Sequence, residues 1–317
     1  MACCWPVSSA GIRRHETCAQ PINGTFGGAW VNLRHSTIDV GGINLHVVQA
    51  GRQGAPAVVL LHGFPEHWVC WRRQIPSLAA AGFWVLAPDQ RGYNRSDKPP
   101  GIPAYGLDRL SADVVHLLDS LDIGRAHVVG HDWGAAVAWW LALTEQRRLR
   151  RLAILNVPHP AALRRVIRRR PEQWLRSWYI GFFQLPRLPE ALLGAVDGAA
   201  LARTIQRGAP AGTFDRQDID DLRAAWRRPR ALRSMINWYR ALVRCPPPPP
   251  HSWIVEVPTK ILWGTGDSYL VPLNATVSAT YCRHVDLVNL EGISHWVQHE
   301  VPETVNRQLI EWFGSDH

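Results

Sequence analysis

Polar and apolar positions along this chain alternate between two textures. Ser36 to Val40 and Asn44 to Gln49 alternate in polarity on either side of Gly41-Gly42, which predicts a β-hairpin. Ala57 to Leu61 is a continuous apolar run, the pattern of a strand covered on both faces of a parallel sheet. A helical pattern follows over Trp71 to Ala81, then a strand over Phe83 to Ala87 and a polar loop from Asp89 to Pro100. Val114, Leu117, Leu118 and Leu121 recur at i, i+3, i+4 and i+7, so Asp108 to Leu121 reads as an amphipathic helix. Two more strands, one running into Gly130 and one over Leu152 to Asn156, flank a helix-prone run of Ala, Val and Trp. Strands alternating with helices in this way predict an α/β protein with a mostly parallel sheet.

At Val157-Pro158-His159-Pro160 the texture changes. From there to about Trp253 the chain is rich in Arg, Leu, Ala and Trp and shows no strand pattern, as a helical insertion would. Five consecutive prolines, Pro246 to Pro250, read as a stiff connector back to the sheet. Strand character resumes at Thr259 to Trp263 and Val285 to Leu290, and Val305, Leu309 and Phe313 set the register of a last helix over Pro302 to Phe313. The expected organisation is a flexible extension over 1–24, a core made of 25–157 and 255–317, and a helical cap over 158–254.

Composition narrows the class. A chain of 317 residues with 46% hydrophobic content and 16 Trp can bury a large core, and no apolar run reaches membrane-spanning length. The net charge of +9 is almost wholly arginine, since Lys98 and Lys260 are the only lysines. Arginines gather at Arg147 to Arg151, Arg164 to Arg170 and Arg227 to Arg230, without a nucleic-acid recognition motif, so solvated helix faces are the plainer reading. The six cysteines are scattered and lack metal spacing, although Cys3, Cys4 and Cys18 leave a terminal pairing open. Arg13, Arg14, His15 and Glu16 interrupt any secretory apolar region, so a cytoplasmic location is expected.

The chemistry centres on Ala126 to Trp140, where strand, sharp turn and helix meet at Gly130-His131-Asp132-Trp133-Gly134. This is the setting of a nucleophile elbow, with Asp in the place that G-x-S-x-G gives to Ser. The plainer alternative is an Asp that caps the following helix. A carboxylate is already ionised at neutral pH and needs no base to become a nucleophile. Attack by Ser on a saturated carbon leaves an ether that water does not readily cleave, whereas attack by Asp leaves an ester. Asp132 therefore points to an sp3 electrophile, an epoxide or an alkyl halide.

An elbow needs an acid and then a histidine, in that order. Ile261 to Trp263 leads into Gly264-Thr265-Gly266-Asp267, which puts a carboxylate at a strand's carboxyl end. The last strand leads into Glu291-Gly292-Ile293-Ser294-His295-Trp296, which puts His295 in the loop before the final helix. A loop Asp after a strand is most often a turn residue, and most of the 14 histidines are surface or core fillers. Asp267 and His295 nevertheless stand in the required order on the required elements. His62, His131 and His299 are rivals by proximity; His131, adjacent to Asp132, should point away from the site, and His299 should lie beyond it. His62-Gly63-Phe64-Pro65 follows the third strand, where one oxyanion N–H belongs at Phe64, with a second at Trp133.

Taken together, HGFPEHW, DQRGYNRSDKP, GHDWG, GTGD and the SHW before the last helix resemble the epoxide hydrolases of the α/β-hydrolase fold, from about Trp30 to the C-terminus. The resemblance implies an eight-stranded, mostly parallel sheet with an inserted helical cap, and no metal or organic cofactor. No Asp or Glu lies between Leu152 and Ile167, where other members of the fold sometimes place the acid, which leaves Asp267. The family also uses two cap tyrosines to polarise the epoxide oxygen; by position these match Tyr179 in Trp178-Tyr179-Ile180-Gly181-Phe182-Phe183-Gln184 and Tyr239 in Asn237-Trp238-Tyr239-Arg240. The bland reading of both is packed aromatics in a Trp-rich lid. Expected partners are a small epoxide and water, with neither nucleic acid nor membrane, and monomer and homodimer both open.

Two rivals remain at this level. Haloalkane dehalogenases share the Asp elbow but often carry Asn where Phe64 stands, and fluoroacetate dehalogenases carry Arg where Trp133 stands. A ligand-binding member of the fold without catalysis has no need for all of Asp132, Asp267 and His295.

Overall fold

The computed structural model describes residues 32–314; the expected extension over 1–24, with Cys3, Cys4 and Cys18, lies outside them. One eight-stranded sheet is built from β1 (Arg34–Asp39), β2 (Asn44–Ala50), β3 (Ala57–Leu61), β4 (Trp84–Pro88), β5 (Ala126–His131), β6 (Leu149–Leu155), β7 (Thr259–Gly264) and β8 (Val285–Leu290). Its spatial order is β1-β2-β4-β3-β5-β6-β7-β8. β2 pairs antiparallel with β1 and β4, and every other pair is parallel. Helices α1 (Ile75–Ala80), α2 (Leu107–Ser120) and α3 (Trp133–Thr144) link the first strands. Between β6 and β7 come α4 (Pro160–Arg169), α5 (Pro171–Arg176), α6 (Trp178–Phe182), α7 (Leu188–Arg207), α8 (Arg216–Trp226) and α9 (Ala231–Arg244). α10 (Leu273–Ala279), α11 (Val297–Glu300) and α12 (Pro302–Gly314) complete the second half.

The continuous apolar runs are explained by burial on both faces. Along β3, Val59 and Leu61 enter one apolar cluster with α2 and α3, while Val58 and Leu60 enter another with α1 and α12. β5 and β7 divide in the same way, with Val128, Ile261 and Trp263 on the first face and Val129 and Leu262 on the second. Each such fully buried aliphatic side chain contributes about 1.5–3 kcal/mol by leaving water. α3 is apolar around its whole circumference because neighbours enclose it, with Val137, Ala138, Trp139 and Leu141 all buried. Exposed positions gather on the edge strands β1 and β8, with single ones at Asn44 in β2 and Arg150 in β6.

One expected helix is shorter than its pattern. A 3-10 turn at Trp68–Trp71 precedes α1, which begins only at Ile75. Pro76 lies in the first turn of α1, where its missing N–H is harmless; in a helix continuous from Trp71 its ring would strike the carbonyl of Arg72. The segment between β6 and β7 is helical and contains no strand among the described residues, only an isolated bridge at Val255. α7 is broken at Ala195 to Gly198, where Val196, Asp197 and Gly198 take positive φ. Pro246 to Pro250 belong to neither helix nor strand.

Topology locates the site. β3 is flanked by β4 on one side and β5 on the other, so the chain reverses its direction of winding there. Loops leaving the carboxyl ends of neighbouring strands diverge at such a point and open a crevice. α3 must start close under β3 for the turn after β5 to fit: a Cβ on Gly134 would lie 2.1 Å from the Leu61 carbonyl oxygen. Replacing Gly134 by Ala gains up to about 1 kcal/mol of helix propensity, but it forces backbone against backbone. We predict that Gly134→Ala loses roughly 1–3 kcal/mol of stability in urea unfolding. Gly124→Ala, where an added Cβ meets nothing within 4 Å, should stay within about 0.5 kcal/mol of wild type. Equal stability of the two variants would contradict the tight turn.

Candidate active site

Asp132 stands between β5 and α3 with φ 49° and ψ −123°, a conformation that costs an L-residue about 1–3 kcal/mol. Its carboxylate accepts no capping hydrogen bond from α3, so the helix-cap reading fails on geometry. Oδ1 instead accepts the backbone N–H of Phe64 at 2.6 Å, and Oδ2 lies 3.6 Å from His295 Nε2. The strained turn aims the side chain at the loops after β3 and β8. Burial opposes its ionisation, yet His295 and the Phe64 N–H hold the carboxyl below its usual value.

Asp267 and His295 come from the loops after β7 and β8 and meet Asp132 from the other side. His295 Nδ1 lies 2.7 Å from Asp267 Oδ2, and both side chains are buried. Asp267 Oδ1 accepts the N–H groups of Tyr269 (2.7 Å) and Leu270 (3.0 Å). Its Oδ2 also accepts Asn156 Nδ2 at 2.8 Å, while Asn156 Oδ1 accepts the Gly264 N–H at 2.7 Å. Asn156 thus clamps the end of β6 to the acid. It occupies the place where the missing carboxylate after β6 was noted, and only the fold shows that it supports Asp267. Burial by itself would lower the His295 pKa, but the charges of Asp267 and Asp132 push it up to about 10. The resting site therefore holds an imidazolium between two carboxylates.

The rival histidines lie behind this group. His131 Nε2 donates to the His295 carbonyl at 2.9 Å, which leaves Nδ1 as the acceptor for Gln298 Nε2 at 3.0 Å. Burial and then the nearby His295 charge lower His131 to about 4, so the ring is neutral. His299 Nε2 pairs with buried Glu66 at 2.6 Å. His62 accepts the Gln90 N–H on Nε2 at 3.0 Å, and its own carbonyl accepts Gln90 Nε2 at 2.5 Å. The loop after β4 so holds the loop that carries Phe64. Buried Asp89 anchors the former through His46 at 2.7 Å, Asn94 at 2.9 Å and the Trp68 N–H at 3.1 Å. Among these, Glu66 and Asp89 stand inside the motifs HGFPEHW and DQRGYNRSDKP but no chemistry in the sequence marks their role, and Gln298 carries no signal at all.

Above Asp132 the inserted helices supply an aromatic wall. The Tyr179 and Tyr239 rings are 5.8 Å apart, and Tyr239 packs on Trp133 (4.9 Å) and Phe64 (5.3 Å). Burial, and after it the Asp132 charge, raises both phenols above their ordinary value, so both are proton donors at neutral pH. Tyr269, which belongs to none of the sequence motifs, also joins the site; its ring lies 5.3 Å from His295 and 6.3 Å from Tyr179. The N–H of Trp133, at the first turn of α3, is one of the donors a helix start leaves without an intrahelical partner. Among the described residues no group of three or more His, Cys, Asp or Glu is gathered as a metal site would be, and no helix is long and apolar enough to cross a membrane.

Comparison with known proteins agrees with this arrangement. Residues 56–302 match the alpha/beta hydrolase fold family. The AB hydrolase superfamily protein YfhM of Bacillus subtilis is 42% identical over 278 residues, covering 88% of this chain and 97% of that protein. Epoxide hydrolase A of Mycobacterium tuberculosis is 36% identical, covering 87% and 95%. The crystal structure of the Bacillus megaterium epoxide hydrolase in complex with an inhibitor superposes with a TM-score of 0.81 at 28% identity, covering 88% and 99%. The chain is a hydrolase of the α/β-hydrolase fold, and within that fold it belongs to the epoxide hydrolase family.

The buried ion group makes a signed prediction. Because the His295 pKa is raised above 6.5, its contribution to stability is complete below 6.5 and is lost as pH rises through about 10. The lowered Asp132 contributes above 3.8 and is lost as pH falls. In an NMR titration, the His295 ring should stay protonated well above neutrality in the wild type and titrate at lower pH in Asp132→Asn. An unchanged midpoint in that variant would show that Asp132 does not hold the proton.

Proposed function

We propose that this enzyme converts epoxides to vicinal diols through a hydroxyalkyl ester on Asp132. The observation that carries the reading is a carboxylate on a strained elbow, held by the Phe64 N–H at 2.6 Å, with the Tyr179 and Tyr239 rings 5.8 Å apart and Tyr239 packed on Trp133 beside it. Its surroundings favour the ionised carboxylate and the protonated phenols. An epoxide placed between them is attacked at carbon by Asp132 while its oxygen takes a proton from a phenol. The imidazolium proton of His295 then makes good the phenol's loss, so ring opening leaves His295 neutral. Ester formation also removes the Asp132 charge, one of the causes that raised the His295 pKa.

Neutral His295, oriented by Asp267, next takes a proton from water as the water oxygen adds to the carboxyl carbon of Asp132. The N–H groups of Phe64 and Trp133 hold the resulting oxyanion. Collapse expels the diol oxygen, which takes the proton of the Asp132 carboxylic acid. Carboxylate and imidazolium are thereby restored, and the sum is epoxide plus water to diol. Residues 158–254 act as the cap that carries the phenols, and the described residues on either side of it, 32–157 and 255–314, as the core. The site works in the cytoplasm on a small hydrophobic epoxide, without a metal or organic cofactor.

The phenols separate this reading from halide chemistry, since a departing halide needs N–H donors and no proton. Wild-type enzyme should form diol from a member of a panel of styrene, cyclohexene and long-chain alkyl epoxides. It should release no halide from bromoalkanes, chloroalkanes or fluoroacetate above the Asp132→Ala background. Tyr179→Phe/Tyr239→Phe should lose diol formation by about 10²–10⁴-fold, the scale of a lost general acid. Halide release without diol would overturn the proposal.

Ring opening takes its proton directly from a phenol, which water can reprotonate, whereas ester hydrolysis needs His295 as the base, so His295→Gln should still be alkylated and then stall. Intact-protein mass spectrometry should show a gain of one epoxide mass, located by digestion on the peptide that contains Asp132. A folded variant that stays unmodified at saturating epoxide would remove Asp132 from the nucleophile's role.

A further inference from the structure

A cleft of about 490 Å³ opens on the inserted helices, and none of Asp132, Asp267, His295, Tyr179 and Tyr239 lines it. Arg233, Asn237, Arg240 and Arg244 recur along α9 at i, i+4, i+7 and i+11, a single stripe of that helix on a different face from Tyr239. Arg187, Arg228 and Arg230 complete the basic lining, so six guanidinium groups meet one carboxylate, Glu190. Arg240 is bound to Glu190 at 2.6 Å, Arg228 donates to Asn94 Oδ1 at 2.9 Å, and Arg244 donates to Gln184 Oε1 at 3.2 Å. The side chains of Arg187, Arg230 and Arg233 make no hydrogen bond or ion pair among the described residues. The positive field is felt nearby: after burial itself, Arg228 and also Arg230 push Lys98 down to about 8.

An arginine-rich composition scatters such side chains over convex surfaces, where water and salt screen them. Here five of the six, all but Arg240, are exposed to water but converge on one concavity, where their potentials add. The volume is that of a small-molecule site, and guanidinium groups grip phosphate oxygens in pairs. Ile102, Pro186, Ala231 and Leu232 add an apolar wall for an organic portion. Trp226 is the only aromatic ring in the lining, so the cleft lacks the successive stacking platforms that a nucleic-acid strand uses.

We propose that this cleft binds a small organic diphosphate of the nucleoside diphosphate class, at a site separate from the one where Asp132 reacts. The arginines without partners take the phosphates, and the apolar wall takes the remainder. Binding is read without turnover, so its outcome is independent of the reaction assigned to Asp132.

Isothermal titration calorimetry with ADP and with inorganic pyrophosphate tests this on the full chain. ADP should saturate a single site in the wild type, more tightly than pyrophosphate. In Arg230→Gln/Arg233→Gln the affinity should fall at least about 10-fold, as expected for lost charge-assisted bonds. Arg147→Gln/Arg150→Gln makes the same charge change at exposed positions outside the cleft and should stay within about 2-fold of wild type. If the first double variant does not fold, Arg233→Gln alone supplies the comparison, with a smaller loss in the same direction. The proposal is overturned by an absence of saturable ADP binding, by equal affinity in all variants, or by equal losses in both doubles, which would mean net charge alone. Binding of a short single-stranded oligonucleotide without ADP binding would assign the cleft to nucleic acid instead.

Discussion

An imidazolium held between one buried carboxylate, Asp267, and one partly exposed carboxylate, Asp132, is the interaction on which the rest of the site depends. Buried charge is costly unless it is paired and hydrogen-bonded. Asp267 is compensated on every side, by His295, by Asn156 and by the N–H groups of Tyr269 and Leu270. Asp132 has only the Phe64 N–H at hydrogen-bond distance, and its contact with His295 is an ion pair at 3.6 Å. The two carboxylates are therefore unequal. One is locked in place, and the other keeps an oxygen available for bond formation.

That inequality is maintained by residues with no part in bond making. His131 holds the His295 backbone while Gln298, Glu66 and His299 hold His131 from behind. Both ring tautomers follow from their partners: a carbonyl can only accept, so His131 carries its proton on Nε2, and a backbone N–H can only donate, so His62 carries its proton on Nδ1. Two neutral, buried histidines thus act as fixed struts beside a third that is charged. Their difference comes from the nearest groups: His131 faces a carbonyl, an amide and one carboxylate, Glu66 at 3.8 Å, which His299 already holds, whereas His295 lies between two carboxylates, Asp132 and Asp267.

Much of this was legible in the chain because strand ends and motifs coincide. All eight strands were visible as apolar or alternating runs, and their ends placed Asp132, Asp267, His295 and Phe64 on the loops that the sheet brings together. Boundaries erred where local chemistry overrode periodicity, as at Pro76, which delays α1. Asn156 could not be ranked from sequence, because its value lies in a contact with Asp267 across 111 positions. Tyr269 was overlooked for a similar reason: its ring approaches His295 only once the loops after β7 and β8 are side by side. The interior of the inserted helices was the least legible part, since amphipathic helices of Arg, Leu and Ala pack in many ways with the same pattern.

The placement of the phenols shows how that segment is nonetheless specified. Tyr179 lies on the short helix α6 and Tyr239 on α9, so their separation depends on what ties these elements together. Arg240, the neighbour of Tyr239, donates from Nε to the Phe183 carbonyl at 3.0 Å and from Nη2 to the Leu185 carbonyl at 2.6 Å. Gln184 returns the contact by donating to the Tyr239 carbonyl at 2.9 Å. On the other side, Trp238 donates to the Arg91 carbonyl at 3.0 Å and Trp226 to the Pro65 carbonyl at 2.7 Å, which pins α8 and α9 to the loops after β3 and β4. Those are the loops that set Phe64. One set of polar ties therefore fixes the distance between the phenols and also their height above Asp132. A lysine at position 240 could keep the charge beside Glu190 but not the fork that reaches both carbonyls.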